Sequence, residues 1–157
     1  MTVNAPARVM TVPAVGTAVN APFYAPDDSL LTTLIGYNLP PATCSPSVNS
    51  GQALPLATCH LTLIWYADAN FPTSMHVFVH LLDESGQIIA QSDGEPANWT
   101  RPTTGWLPGE NITDTHTLTL PAELPSGNLT LRIGLYDPQT GQRLQTQSAD
   151  YVEIPLP

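Results

Sequence analysis

The chain of 157 residues is long enough for one domain with a full core and short for two. Thirteen acidic residues face four arginines and no lysine, giving a formal net charge of −9. Because this charge repels phosphate backbones, we exclude nucleic-acid binding, and an anionic membrane surface is disfavoured as a direct partner. Direct membrane insertion is not expected either. No stretch approaches the roughly 20 apolar residues of a membrane helix. Seventeen prolines and ten glycines predict a chain rich in turns.

The first segment, 1–28, is rich in Ala, Val, Pro, Thr and Asn and shows little periodicity. It is interpreted as a linker with one edge strand near 8–12, and the single domain is expected over 29–157. Since the first twenty residues lack the basic and apolar regions of a signal peptide, an extracytoplasmic chain is expected to be a mature or excised piece of a longer protein.

Short runs of alternating apolar and polar residues follow, and each predicts a β-strand. They lie at 30–37, 60–66, 75–82, 87–92, 115–120, 128–136, 143–147 and 150–155. The polar turn at 83–86 predicts a hairpin between the third and fourth runs. About eight strands with turns every 8–12 residues predict an all-β fold, an antiparallel β-sandwich of immunoglobulin-like or jelly-roll type.

Two cysteines, Cys44 and Cys59, flank a segment rich in Pro, Ser and Gly. A disulfide between them would close a surface loop and contribute about 3 kcal/mol in the chain-entropy model. The alternative is a pair of reduced, buried thiols in a cytosolic protein. The disulfide is favoured, and it would indicate an oxidising compartment.

The order of the motifs resembles a domain at the extracytoplasmic C-terminal end of bacterial membrane glycosyltransferases of the dolichyl-phosphate-mannose/arabinose transferase type, which also occurs in surface proteins. The matching motifs are LIGY at 34–37, LTLIW at 61–65, VFVHLLD at 77–83 with GQ at 86–87, AQSD at 90–93, PTTGW at 102–106, PGE at 108–110, LPSG at 124–127, GLYDP at 134–138 and GQRL at 141–144. The resemblance spans about 28–155 and implies a β-sandwich outside the cytoplasm. It assigns no activity to this module, and the cysteine pair departs from the usual pattern.

The connection at 93–114 is unusually long for a compact domain, and such connections are often functional. Aromatic rings bind sugars through stacking, and carboxylates and amides bind the hydroxyl groups. The candidate ligand-binding residues are Trp99, Trp106, Asp93, Glu95, Asn98, Arg101 and Glu110. For Trp106, between Gly105 and a Leu-Pro-Gly turn, a structural plug at the open end of the sandwich is the favoured interpretation. Trp65 is expected in the core.

The carboxylates at both ends of this connection raise the alternative of a structural calcium ion, which requires six to eight oxygen ligands. The candidates are Asp93, Glu95, Glu110 and Asp114. Because no contiguous calcium-loop motif is present, we assign no metal and no cofactor from the sequence.

The histidines offer a third site. His76 and His80 are four residues apart on one strand, about 13 Å along it, which is too far to share one ion. If 60–66 paired with 75–82, His60 and His80 would approach each other. Within its apolar run, His80 is expected to be a hydrogen-bonded structural residue.

Together these features predict a non-catalytic accessory module, monomeric and extracytoplasmic (cell surface, periplasm or secreted), that binds a glycan or another protein domain. A purely structural module of a surface or secreted assembly is one alternative. A hydrolase with an unrecognised cleft is the other, although no known catalytic motif is present.

Overall fold

The computed structural model describes residues 7–40 and 58–156. These residues form eight strands in two antiparallel sheets, which confirms the predicted β-sandwich. The strands are β1 (Thr17–Tyr24), β2 (Leu30–Asn38), β3 (Thr58–Ala67), β4 (His76–Leu82), β5 (Ile88–Gly94), β6 (Asn111–Thr119), β7 (Thr130–Tyr136) and β8 (Val152–Pro155). One sheet has the order β1-β2-β3-β6 and the other β5-β4-β7-β8.

Alternation of side chains along the strands builds the core between the sheets. In β4, Val77, Val79 and Leu81 are buried against the facing sheet, while His76 and His80 occupy the other face of the strand. Trp65 of β3 lies in the middle of the core, as predicted, and packs edge-on against Phe23 with ring centroids 5.6 Å apart. The inner face of each sheet is therefore fixed by the apolar positions of its strands.

The predicted hairpin between β4 and β5 is confirmed, and the Asp83 side chain organises its turn. Asp83 Oδ1 accepts hydrogen bonds from the amides of Ser85 and Gln87, each at 2.9 Å, and from the Ser85 hydroxyl. These bonds hold the pKa of the Asp83 carboxyl below its usual value. An aspartate that bonds its own turn in this way fixes the register of the two strands.

The N-terminal segment differs from the expectation of an edge strand near 8–12. The edge strand is β1, inside the segment interpreted as a linker, and it pairs with β2 through an irregular register that shifts between Ala18 and Ala21. Near 8–12 the pairing is an isolated bridge between Val9 and Asn111. Alternation in β1 is broken by this irregularity, which is why periodicity did not reveal the strand.

The run at 143–147 also forms no strand; it contributes isolated bridges from Arg143 to Tyr136 and from Gln145 to Tyr24. The strands β3 and β4 belong to different sheets, so the conditional pairing of His60 with His80 does not occur. Among the described residues, no helix has the length and apolar character needed to cross a bilayer.

Candidate functional site

The two tryptophans of the connection between β5 and β6 have opposite environments. Trp106 is 1% exposed, packs edge-on against Phe71 with ring centroids 5.3 Å apart, and donates its indole N–H to the carbonyl of Arg101 at 3.0 Å. Trp99 is 58% exposed. Trp106 therefore fits the plug interpretation and has no free face for a ligand, whereas Trp99 presents an open aromatic surface.

Trp99 is carried by an unusual backbone turn, Pro96–Trp99, which we call the left-handed turn. Ala97, Asn98 and Trp99 have φ angles of 55°, 54° and 67°. Left-handed backbone costs roughly 1–2 kcal/mol for each residue with a side chain, and it persists only where other contacts enforce it. The turn is closed by hydrogen bonds from the Arg101 amide to the Pro96 carbonyl, 3.1 Å, and from the Thr100 hydroxyl to the Ala97 carbonyl, 2.6 Å.

The indole of Trp99 rests on the end of β5. Gly94 lies beneath it, so closely that a β-carbon at Gly94 would be 2.9 Å from the ring atom Cε2. The edge of the His76 ring meets the Trp99 ring with centroids 5.0 Å apart. Trp99 is thus held on one face and one edge while more than half of it remains open to solvent.

Beside Trp99 lies a groove of about 310 Å³ between the edge strands β5 and β6, which we call the Trp99 groove. Of the predicted ligand-binding residues, Asp93, Glu95 and Asn98 line it together with Trp99. The Thr115 and Thr117 side chains of β6, which the sequence did not single out, belong to the same lining. The groove combines an aromatic face with carboxylate, amide and hydroxyl groups, the set that carbohydrate recognition uses.

Arg101 and Glu110, two further candidates, are directed elsewhere. Glu110 is fully buried and accepts hydrogen bonds from Arg101, from Arg8 at 2.8 Å and from the Leu107 amide at 3.1 Å. Burial alone would raise the pKa of the Glu110 carboxyl, but the two guanidinium groups and the amide outweigh it and hold that pKa below its usual value. This buried ion cluster fastens the N-terminal segment to the connection and is closed to a ligand.

Asp114 is also buried, at the centre of a hydrogen-bond network behind the Trp99 groove. Its Oδ2 accepts from the Trp65 indole at 3.2 Å and from His116 Nε2 at 2.8 Å, and its Oδ1 accepts from the Ala97 amide at 2.7 Å. The other ring nitrogen of His116 lies 2.9 Å from the Ser92 hydroxyl. Asp114 therefore ties the core tryptophan, the edge strand and the left-handed turn together.

These placements do not bring the four candidate calcium ligands together. Glu110 is saturated by guanidinium and amide donors, and Asp114 by three N–H donors. Within 7–40 and 58–156, no group of three or more His, Cys, Asp or Glu side chains is arranged to hold a metal ion. Asp93 and Glu95 line the Trp99 groove, whereas the Glu110 and Asp114 carboxylates are buried and already hydrogen-bonded.

A second cluster, which the sequence analysis missed, covers the outer face of the sheet that contains β4. Phe78 is only 1% exposed although it points away from the core; its ring lies over Gly134 and beneath the Arg143 guanidinium, 4.2 Å from the ring centroid. The residues around it line a groove of about 270 Å³, the sheet-face groove: His80, Asp93, Tyr136, Gly141 and Arg143. Strand register brings them together, since Asp93 and Gly134 are the partners of Phe78 on either side.

Polar contacts within this cluster centre on Asp93. His80 Nε2 lies 3.5 Å from Asp93 Oδ1. Burial raises the pKa of the Tyr136 hydroxyl, and the negative charge of Asp93 and its hydrogen bond with that hydroxyl raise it further. The Tyr136 hydroxyl oxygen also lies 3.5 Å from His76 Nδ1.

Another opening, about 570 Å³, lies at the other edge of the sandwich between β1 and β8. Its one aromatic side chain, Tyr151, is covered on a face by the Arg132 guanidinium, 4.4 Å from the ring centroid. Its carboxylate, that of Glu153, is paired with Arg132 at 3.0 Å, and it has no aromatic ring as exposed as that of Trp99.

Cys59 is buried in β3, and Cys44, its predicted partner, lies outside the described residues. The disulfide therefore stays a prediction.

No family model matches the chain, and no curated protein sequence matches it. Among solved structures it is similar to the C-terminal domain of wzt, with 16% sequence identity, a TM-score of 0.52, and coverage of 78% of this chain and 71% of that one. It also matches a glycosyl hydrolase family 2 member from Bacteroides cellulosilyticus, with 11% identity, a TM-score of 0.45, and coverage of 75% of this chain and 13% of that one. The first likeness shows a shared β-sandwich fold; the second is too distant to carry an argument.

Proposed function

We propose that this protein is a non-catalytic, extracytoplasmic accessory module that binds carbohydrate in the Trp99 groove. The observation that carries the proposal is the exposed indole of Trp99, held by the left-handed turn beside Asp93, Glu95 and Asn98. The left-handed turn is strained and places an apolar ring in solvent, and neither feature has an evident benefit for folding. Backbone strain of this kind concentrates at ligand-binding sites. A rigid aromatic ring also loses little entropy on binding.

The location and the class of ligand follow from separate arguments. The motif resemblance over 28–155 supports a module displayed outside the cytoplasm, attached to or associated with a glycan-handling protein. The net charge of −9 disfavours polyanions such as nucleic acid. A partner protein surface is the competing ligand, and the purely structural module is the competing role.

A glycan array with purified protein tests the proposal, using Trp99→Ala as the variant. Loss of the ring is expected to weaken binding roughly 30-fold, the effect of removing about 2 kcal/mol from a binding hot spot. Leu107→Ala is the matched control, because Leu107 is an exposed apolar side chain of the same connection but does not line the groove. Absence of binding to any glycan, or equal binding by the Trp99 variant, would contradict the proposal.

One observation favours a second candidate function, hydrolysis. Because the Asp114 carboxylate only accepts, His116 Nε2 carries the proton toward it, and Nδ1 is left to accept from the Ser92 hydroxyl. Serine, histidine and aspartate in this order have the connectivity of a nucleophile, its base and an orienting acid.

A fluorophosphonate probe separates the two functions, since it labels activated serines covalently. The non-catalytic proposal expects no labelling of the native protein. Labelling that disappears in Ser92→Ala would favour the hydrolase. Labelling retained in that variant would exclude Ser92 as the reactive group.

A further inference from the structure

Asp93 lines both the Trp99 groove and the sheet-face groove. It lies in the edge strand β5, with Trp99 packed against the next residue, Gly94. The Trp99 ring also contacts His76, whose ring meets Tyr136 of the sheet-face cluster with centroids 5.6 Å apart. A chain of ring contacts thus leads from the exposed indole across the end of β5 onto the outer face of the sheet.

The sheet-face groove has a firm floor. Phe78 is packed between Gly134 and the Arg143 guanidinium and is 1% exposed, so the guanidinium lies over the ring at the floor of the groove. Around it stand an acceptor, the Asp93 carboxylate, a donor, the Arg143 guanidinium, and two groups that already contact Asp93, the His80 ring and the Tyr136 hydroxyl. A carboxylate accepts from two adjacent hydroxyl groups, and the guanidinium donor suits ring and glycosidic oxygens.

The charge of this surface indicates a neutral ligand. Asp93 belongs to both grooves and Glu95 to one of them, whereas Arg143 is already shared with Phe78 and with Asp150, 3.5 Å away. An acidic polymer would meet these carboxylates and the net charge of −9.

We propose that the two grooves form one extended site, in which a neutral glycan of at least two linked sugars runs from Trp99 across β5 to Tyr136 and Arg143, with Asp93 contacting it on both sides. The inference rests on the proposed function of the Trp99 groove, and it adds the class and the minimum length of the ligand. Asp93 becomes the residue that couples the two halves, because it is the polar side chain common to them.

Nuclear magnetic resonance titration of the full chain tests this arrangement. The probes are glucose, mannose and galactose, each with its matching disaccharide and hexasaccharide, and an oligogalacturonate as the acidic comparison. The Trp99 indole N–H and the Gly94 amide report on the first groove, and the His80 ring and Arg143 Nε on the second. A neutral oligosaccharide is expected to shift both sets and to bind at least tenfold more tightly than its monosaccharide.

The variants Asp93→Asn and Tyr136→Phe are expected to remove this gain with chain length, while Asp28→Asn, an exposed aspartate outside both grooves, keeps it. Shifts confined to the Trp99 set, with no gain from chain length, would overturn the extended site and leave the proposed function standing. Shifts confined to the sheet-face set would overturn both, as would no shift with any neutral probe. Tighter binding of the oligogalacturonate would overturn the assignment of a neutral ligand.

Discussion

The backbone amide of Ala97 donates a hydrogen bond of 2.7 Å to the Asp114 carboxylate, joining the left-handed turn to the buried face of β6. The same carboxylate accepts from the Trp65 indole in the core. The exposed ring of Trp99 is therefore anchored, through two residues, to the centre of the sandwich. Such anchoring lowers the entropy lost when a ligand binds, because the ring is already in place.

Replacing Asp114 by asparagine is expected to destabilise the fold and release the turn. The asparagine side chain has one acceptor oxygen where aspartate has two. At least one buried N–H donor therefore loses its partner, at a cost of about 3 kcal/mol. Urea unfolding measures the loss of stability, and hydrogen exchange at the Ala97 amide measures the release of the turn. Asp28→Asn is the matched control, since Asp28 is exposed. Unchanged exchange at Ala97 would show that the turn does not depend on Asp114.

Gly94→Ala is expected to displace Trp99 without removing it. The added β-carbon would be 2.9 Å from the indole, closer than non-bonded atoms allow, so the ring must move away from β5. The His76 ring protons should then lose the ring-current shift that the Trp99 contact produces. Gly105→Ala is the control, because nothing lies within 4 Å of its added carbon. If the His76 shift survives in Gly94→Ala, the packing of Trp99 on β5 is wrong.

The fold followed from the sequence where alternation was regular. The inward positions of β3 and β7 could be assigned in advance because their core residues recur with a period of two. β1 was missed because its register shift breaks that period. The pairing of strands could not be predicted either: period identifies which face of a strand is buried, but it carries no information about which strand lies beside it.

The candidate site was predicted in part. Composition placed Trp99, Asp93, Glu95 and Asn98 in one segment, and they do share a groove. Composition could not separate them from Glu110, whose guanidinium partner Arg8 is about a hundred residues away in the chain. The sheet-face cluster was missed for the same reason, since Phe78, Asp93 and Tyr136 come together through pairing across three strands. A phenylalanine on the solvent-facing side of an alternating strand was the available signal.

The disulfide between Cys44 and Cys59 can be tested by counting thiols. In guanidinium without reductant, the oxidised protein is expected to show no reactive thiol, and with reductant it should show two. Reduction should lower the free energy of unfolding by about 3 kcal/mol, since the unfolded chain regains the freedom that the closed loop had lost. The variant in which both cysteines are replaced by serine should be insensitive to reductant. Two thiols titrating before reduction would disprove the bridge.

The buried Glu110 cluster predicts how stability depends on pH. The folded protein holds the pKa of Glu110 below its ordinary value of 4.5, so the deprotonated carboxylate is favoured by folding. The contribution of this carboxylate to the free energy of unfolding is fully present above that value, and it is lost as the pH falls through the lower, folded-state pKa. Asp27 and Asp83, with pKa values lowered by hydrogen bonds from Ser29 and Ser85, titrate in the same direction.

Comparison of the native protein with Glu110→Gln isolates the contribution of Glu110. At neutral pH the variant is expected to be less stable by about 3 kcal/mol, because two guanidinium groups lose their buried counter-charge. The difference between the two proteins in urea unfolding should narrow as the pH falls below 4.5, since the native Glu110 is then neutralised as well. Glu123→Gln, at an exposed position, controls for the change in net charge. If the difference in unfolding free energy between the two proteins stays constant as the pH falls, the charge of the Glu110 carboxylate does not stabilise its contacts with Arg8 and Arg101.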